Sequence, residues 1–370
     1  MANEDKSARY HRLRRRTVLL GAAWRGVFLT ALLVTGGAIV LRRAVESLVG
    51  QGLVPVVALF VLTLAVLDEL VQLPLAYYQG VVLEQRYGLS TETTARWWTD
   101  HAKGAALSLL CLSAAGLLVA SLLRWSPDRW WIAAAASVAV IIVLLAQLAP
   151  VVLLPLFYEV KPLAKETLGA RLLALADRAG AHALGVFEWR VGDLTKKANA
   201  ALVGIGRTRR ILVSDTLLAG HSDDEVEAVV AHELAHHVRG DIWWAIALEA
   251  GVIALGCYLA DAVLTAYAVR LGLEGKMDVA GLPLVALTAG AASFAFMPVA
   301  NALSRAHERR ADRYALEMTQ NRTAFISAMR RLTAQNLAEE RPSRLVELLF
   351  HTHPSAASRI EAARRLDSRL

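Results

Sequence analysis

With 56% hydrophobic residues among 370 and a mean hydropathy of +0.42, this chain is too apolar for an ordinary water-soluble domain, and lipid should be the solvent of much of it. Its net charge of +7 does not describe a nucleic-acid surface, because no basic platform interleaved with aromatic residues occurs; the Lys and Arg excess marks the inner ends of membrane spans instead. Cys111 and Cys257 are the only cysteines, far apart in apolar stretches, which excludes a disulfide framework and a cysteine-based metal site.

The first 16 residues read as a basic tail carrying Arg9, Arg12, Arg14, Arg15 and Arg16. Apolar stretches follow at Val18–Leu41, Leu53–Tyr77, Ala105–Leu123 and Trp130–Phe157, each near or above the roughly 20 residues that cross the hydrocarbon. The first is read as a retained anchor, since its apolar run is long and no small-residue cleavage pattern follows it. Residues 17–157 thus form an amino-terminal transmembrane domain. The remainder, 158–370, is read as a catalytic domain into which a two-span hairpin, 242–301, is set, with spans at Ile242–Ala268 and Val279–Ala300. If the basic tail lies inside, four crossings return the chain to the cytoplasmic side, so the polar segment before the hairpin is expected there.

Within that polar segment, Leu163 to Ala179 has helical periodicity. Ala200–Val203 and Arg210–Val213 read as two short strands around a turn at Gly204–Thr208, a hairpin that could hold an extended peptide at its edge. Ser222 and Glu225 then form a capping box, Asp223, Asp224 and Glu227 suit the positive end of a helix dipole, and Gly240 stands where the helix should stop. That helix carries His232-Glu233-Leu234-Ala235-His236. Two imidazoles four residues apart share a helix face and can bind one metal, and the flanking Glu233 is the natural general base of a zinc-dependent peptidase.

A catalytic zinc uses three protein ligands and water, so one ligand must come from elsewhere. The hairpin makes an even number of crossings and delivers Ser304 to Asp312 to the same side as the histidines. There Glu308 and Asp312 lie four apart on one face, which lets Glu308 bind the metal while Asp312 orients a ligating histidine. His237 and His307 are each rotated about 100° from a proposed ligand and are read as structural or surface residues.

On these motifs the sequence resembles the integral-membrane CAAX prenyl protease family of zinc metalloendopeptidases. The matching residues are His232-Glu233-x-x-His236, Asn301-x-x-Ser304-Arg305-x-x-Glu308-x-x-Ala311-Asp312, and His353-Pro354 followed by Arg359-Ile360. Leu73-Pro74, Glu84, Tyr87-Gly88-Leu89-Ser90, Trp97 and Asp100 match in the amino-terminal half, as do Asn199-Ala200, Gly204 and Ser214-Asp215-Thr216-Leu217-Leu218 before the zinc helix. The resemblance implies an all-α polytopic membrane protein of about six to seven transmembrane helices around a water-filled chamber, with a zincin-type catalytic helical domain and a small β-hairpin. It implies Zn2+ on His232, His236 and Glu308, Glu233 as base, Asn199 and Ala200 on the substrate-pairing edge, and His353 stabilising the oxyanion with Arg359 nearby. Asp68, Glu69, Glu249 and Asp261, acids within the spans, would face the chamber. The implied partners are membrane lipid and a peptide or protein substrate, lipidated or membrane-associated, and no nucleic acid.

The Arg, Ala and Leu bias resembles a GC-rich bacterial source, where the catalytic machinery would carry over without prenylated CAAX substrates. One alternative is a quality-control protease like the bacterial heat-shock membrane metalloprotease; the match around Tyr87-Gly88-Leu89-Ser90 favours the prenyl-protease branch. A transporter, suggested by the acids within the spans, leaves the zinc constellation without a purpose.

Overall fold

Breaks in the apolar runs set the helix lengths in the computed structural model, which describes residues 2–148, 154–204 and 209–365. Helix α1 (Ala2–Val34) already contains the basic residues from Arg9 to Arg16, and it ends before Gly36, whose φ of 74° no continuing helix tolerates. The chain restarts as α2 (Gly37–Val49), so the single span expected over Val18–Leu41 is corrected to two helices divided at the glycine pair 36 and 37. Helix α3 (Leu53–Tyr77) continues through a π-helical stretch, Tyr78–Leu83, into α4 (Glu84–Arg86); α5 (Thr94–Trp125), α6 (Trp130–Leu148) and the single turn α7 (Leu154–Phe157) follow. The span expected over Trp130–Phe157 and the turn expected over Gly204–Thr208 lie partly outside the described residues.

Among the described residues, five helical stretches are long and apolar enough to cross a membrane: Lys6–Val34, Leu53–Arg86, Thr94–Trp125, Asp241–Tyr267 and Val279–Thr319. Trp130–Leu145 is a shorter apolar helix beside them. Their outward faces expose Val54, Leu70, Leu110, Val140 and Val299, which suits lipid and not water. Val57, Phe60, Trp130, Ala260 and Leu264 are among the residues closing the core between these helices.

The polar segment folds on a four-stranded sheet of β1 (Glu159–Pro162), β2 (Val186–Arg190), β3 (Ala200–Val203) and β4 (Arg210–Ser214), in the order β1-β2-β4-β3. β3 and β4 are the expected antiparallel hairpin, with Ala200 opposite Val213. β2 joins β4 in parallel and β1 joins β2 antiparallel, which leaves β3 as an edge strand. Helices α8 (Glu166–Arg178), α9 (Asp215–Gly220) and α10 (Asp223–Val238) accompany the sheet. Leu168, Leu172 and Leu175 of α8 meet Ile211 and Val213 of β4 and Val226, Val230 and Leu234 of α10 in one core. Fully burying a Leu or Val contributes about 1.5–3 kcal/mol, so this core fixes α10 against β3.

Helix α11 (Asp241–Tyr267) leads outward, a 3-10 turn at Val279–Gly281 reverses the chain, and α12 (Leu282–Thr319) returns. A Cβ on Gly256 of α11 would lie 2.8 Å from the Cα of Ala289 in α12, so the two backbones touch where only glycine fits. α13 (Arg322–Gln335), α14 (Arg344–Phe350) and α15 (Ala356–Arg365) complete the described chain, and α12 packs against α10, α14 and α15. The result is a mostly helical polytopic membrane protein with a small sheet.

Candidate active site

The local signals around α10 are realised as physical contacts. Ser222 Oγ accepts from the Glu225 N–H, and Glu225 Oε2 accepts from the Ser222 N–H at 2.8 Å, closing the capping box. At the other end Gly240 takes φ 66°, and the chain turns directly into α11. Asp241 therefore lies beneath the last turn of α10, and its carboxylate meets the ring of His236.

His232, His236 and Glu308 each offer one ligand atom, all within 4.8 Å of one another. The two Nε2 atoms face each other at 3.3 Å, and the Glu308 oxygens stand 3.2 Å from His232 Nε2 and 3.3 Å from His236 Nε2. Each ring is fixed from behind: His232 Nδ1 lies 2.9 Å from Asp312 Oδ1, and His236 Nδ1 lies 2.9 Å from Asp241 Oδ2. A ring donating its Nδ1–H to a carboxylate keeps the Nε2 lone pair for a cation, so the donor set is that of a divalent-metal site. Burial alone would lower the His232 pKa, but the Asp312 and Glu308 carboxylates outweigh it and push the ring up to about 9, so a cation binding here would displace a proton.

Glu233, on the neighbouring face of α10, lines a cavity of about 800 Å3 together with His232 and Glu308. Burial pushes its carboxyl above the ordinary value, against the pull of the two histidines. The same cavity is lined by Asn199 and Ala200 of the sheet edge and by His353 and Arg359. His353 Nδ1 stands 2.8 Å from Glu308 Oε2, and Arg359 directs Nε to Asp312 Oδ2 at 2.8 Å and a second nitrogen to Oδ1. His353 arrives because α12 carries the segment before it: Asn301 donates to the Leu349 carbonyl at 2.8 Å, and Arg305 donates to the carbonyls of Glu347 and His351 at 2.8 and 2.7 Å.

Every residue singled out from the sequence for the site thus reaches this cluster or its cavity. Three features were not anticipated. Asp241 also faces His307, whose Nδ1 lies 3.0 Å from Oδ1, so of the two readings offered for His307 it is the structural one, buried beside the network, that fits. His11, Arg14 and Arg15, read as part of a tail, form a wall of the cavity, where Arg15 and His351 both hold Glu339. The acids within the spans do not line it: Asp68 pairs with Arg25 at 2.9 Å, Glu69 with His101 at 2.7 Å, and Asp261 with Trp130 at 2.9 Å, while Glu249 is exposed. Three of the four thus have a local partner within the bundle, which lowers the cost of a carboxylate in a span.

The family model for Peptidase family M48 matches residues 162–367, which hold the whole cluster. The chain belongs to this family. A second model, described as the CAAX prenyl protease N-terminal, five membrane helices, matches residues 2–159. An uncharacterized metalloprotease of Bacillus subtilis, YhfN, is 32% identical over 339 residues, covering 90% of this chain and 79% of that protein. CAAX prenyl protease 1 of Saccharomyces cerevisiae is 31% identical over 182 residues, 48% of this chain and 40% of that protein. The crystal structure of S. mikatae Ste24p has the same fold, with a TM-score of 0.83 at 23% identity over 98% of this chain and 88% of that one. The protein is a membrane metalloprotease of the M48 family, similar to the CAAX prenyl proteases.

Proposed function

We propose that the protein hydrolyses peptide bonds at a zinc ion held by His232, His236 and Glu308, with Glu233 as general base. The carrying observation is the spacing of the donor atoms, 3.2 to 3.3 Å. A tetrahedral ion with bonds of about 2.0–2.1 Å separates its ligand atoms by about 3.3 Å. When bound, the ion supplies Lewis-acid activation of water and of the scissile carbonyl. Glu233 takes a proton from the attacking water and returns it to the leaving amine; its raised pKa suits both transfers. His353, on the open side of the cluster, donates to the oxygen on which negative charge develops. Arg359 acts through Asp312, whose carboxylate it holds against the back of His232, and Asn199 and Ala200 hold the substrate main chain.

The proposed substrates are peptide segments of lipidated or membrane-associated proteins, delivered from the cytoplasmic side. Val18, Met297 and Phe350 give the cavity an apolar wall for a lipid, and similarity to proteins named CAAX prenyl protease 1 supports that class. The proposed sidedness is supported by α1, whose basic end contacts Glu339 and Leu337 beside the cavity, since basic clusters flanking a span favour the inner side. A cysteine introduced near Ser222 should resist an impermeant thiol reagent applied from the outer face; ready labelling would overturn the proposed topology. The substrate test is cleavage by detergent-purified protein of a farnesylated CAAX peptide, its unprenylated twin and an unfolded membrane protein, with Glu233→Gln as control. Preference for the farnesylated peptide supports the proposal, and equal or faster cutting of the other two overturns its lipid specificity.

A further inference from the structure

Strand β3 lies at the edge of the sheet, and its register determines which main-chain groups point outward. The Ser214 N–H donates to the Asn199 carbonyl at 3.0 Å, and the Asn199 N–H donates to Ser214 Oγ at 3.0 Å, so Asn199 turns both groups toward β4. Alternation then turns those of Ala198, Ala200 and Leu202 to the outer side, where no strand lies.

Two of these three residues are already engaged. The Ala198 N–H donates to Asn336 Oδ1 at 2.8 Å and its carbonyl accepts from Asn336 Nδ2 at 3.0 Å, so one side-chain amide occupies both groups as a neighbouring strand would. His237 Nε2 donates to the Leu202 carbonyl at 2.7 Å. Between them Ala200 is 4% exposed and lines the cavity with His232 and Glu233, and among the described residues its outward N–H and C=O have no main-chain partner. A buried, unpaired peptide group facing a peptidase cavity awaits a partner.

The Asn336 plug is held firmly. It caps α13, and the next residue, Leu337, has φ 51°, a conformation that a branched side chain adopts only when its surroundings impose it. Ser7 and His11 of α1 both reach the Leu337 carbonyl at 3.0 Å and impose it.

We propose that Asn336 and His237 are specificity-determining stops that confine main-chain pairing to one residue of an extended substrate, the one opposite Ala200. Substrate amides two positions to either side find the carbonyls of Ala198 and Leu202 already taken, so an unfolded polypeptide gains little by lying along the strand, and selection falls on the groups that fill the cavity. This rests on proteolysis at the cavity and not on lipid preference.

The test is a backbone N-methyl scan of the best-cleaved peptide from the assay above, using the full-length protein in detergent. Outside the scissile bond, the wild type should show one sensitive amide, with KM raised about tenfold, and changes within about twofold at positions two residues away. Asn336→Ala should add a second sensitive amide two residues along, as Ala198 becomes available, and His237→Ala should add one on the opposite side through Leu202. Two alternate sensitive amides in the wild type overturn the inference even if neither variant folds. So does an Asn336→Ala scan identical to the wild type in a folded, metal-loaded protein. A chain that cuts no peptide overturns the peptidase site itself and this inference with it, whereas a cutting enzyme with the wrong scan overturns this inference alone.

Discussion

Removing the Asp241 carboxylate should weaken metal binding without touching a ligand atom. Asp241 is 7% exposed; one carboxylate oxygen accepts from His236 at 2.9 Å, and the other lies 3.0 Å from His307 Nδ1. Asp241→Ala leaves the His236 ring free to rotate or change tautomer, and loss of such a carboxylate behind a ligating histidine lowers metal affinity about 10- to 100-fold, or about 1.4 to 2.8 kcal/mol. It also leaves the His236 Nδ1–H unpaired, at about 1–3 kcal/mol, so thermal stability should fall as well. Asp241→Asn keeps the size and one acceptor and should lie between wild type and alanine in affinity. Zinc affinity measured by chelator competition on detergent-purified protein separates the effects, with turnover read at saturating zinc. Wild-type affinity in a folded Asp241→Ala protein would refute the bridging role, since a residue that merely anchors α11 would lower stability alone.

Glu308→Ala should lose bound metal and activity together, whereas Glu233→Gln should keep metal and lose at least about 100-fold in kcat, the lower end of general-base contributions; metal analysis beside a peptide assay distinguishes them. Gly256→Leu should destabilise the protein in detergent by at least about 1–3 kcal/mol, because even its Cβ would lie 2.8 Å from backbone in α12; an unchanged unfolding midpoint would show that the hairpin can spread. Glu339 gives a pH signature: burial would raise its pKa, but hydrogen bonds from His351 and Arg15 hold it down at about 2. A pKa lower folded than unfolded means stabilisation present above about pH 4.5 and lost as pH falls toward 2, at most about 3 kcal/mol and about 1–2 after solvent screening. Glu339→Gln should therefore narrow the gap to wild type over that interval in acid unfolding, and parallel curves would refute it.

The parts of the site legible in the sequence are those whose geometry is local. His232 and His236, Glu308 and Asp312, and Ser222 and Glu225 are pairs three or four residues apart on one helix, where the period alone brings them together. Asp241 follows His236 by only five residues, but its contact depends on the left-handed turn at Gly240, and periodicity carries no information across such a turn. The glycine was read as a stop when it also aims the next side chain. Asn336 and Ala198 are 138 residues apart and meet only in the folded chain. Strands β1 and β2 escaped for a related reason: Glu159-Val160-Lys161-Pro162 is short, charged and ends in proline, and becomes a strand only because β2 is there to pair with it. The division of the first span was marked by Gly36-Gly37, but an apolar run on both sides outweighs two glycines when length is the criterion.

A metal site assembled from two segments on either side of a membrane hairpin needs those segments in register, and Asp241 and His307 supply the tie. Asp241 opens α11 and His307 stands one residue before Glu308 on α12, so their contact joins the two legs of the hairpin beside the metal ligands. The close approach at Gly256 holds the same legs about 22 Å further along, at about 1.5 Å per residue. Two ties on one pair of helices restrict sliding and splaying, which displace Glu308 relative to α10 most directly. Helix α10 is anchored by the sheet core as well as by α12, so sliding of the hairpin acts first on Glu308 and on the carboxylates behind the two rings. Both histidines and the base come from one rigid helix, and a single carboxylate is brought to them from across the membrane hairpin.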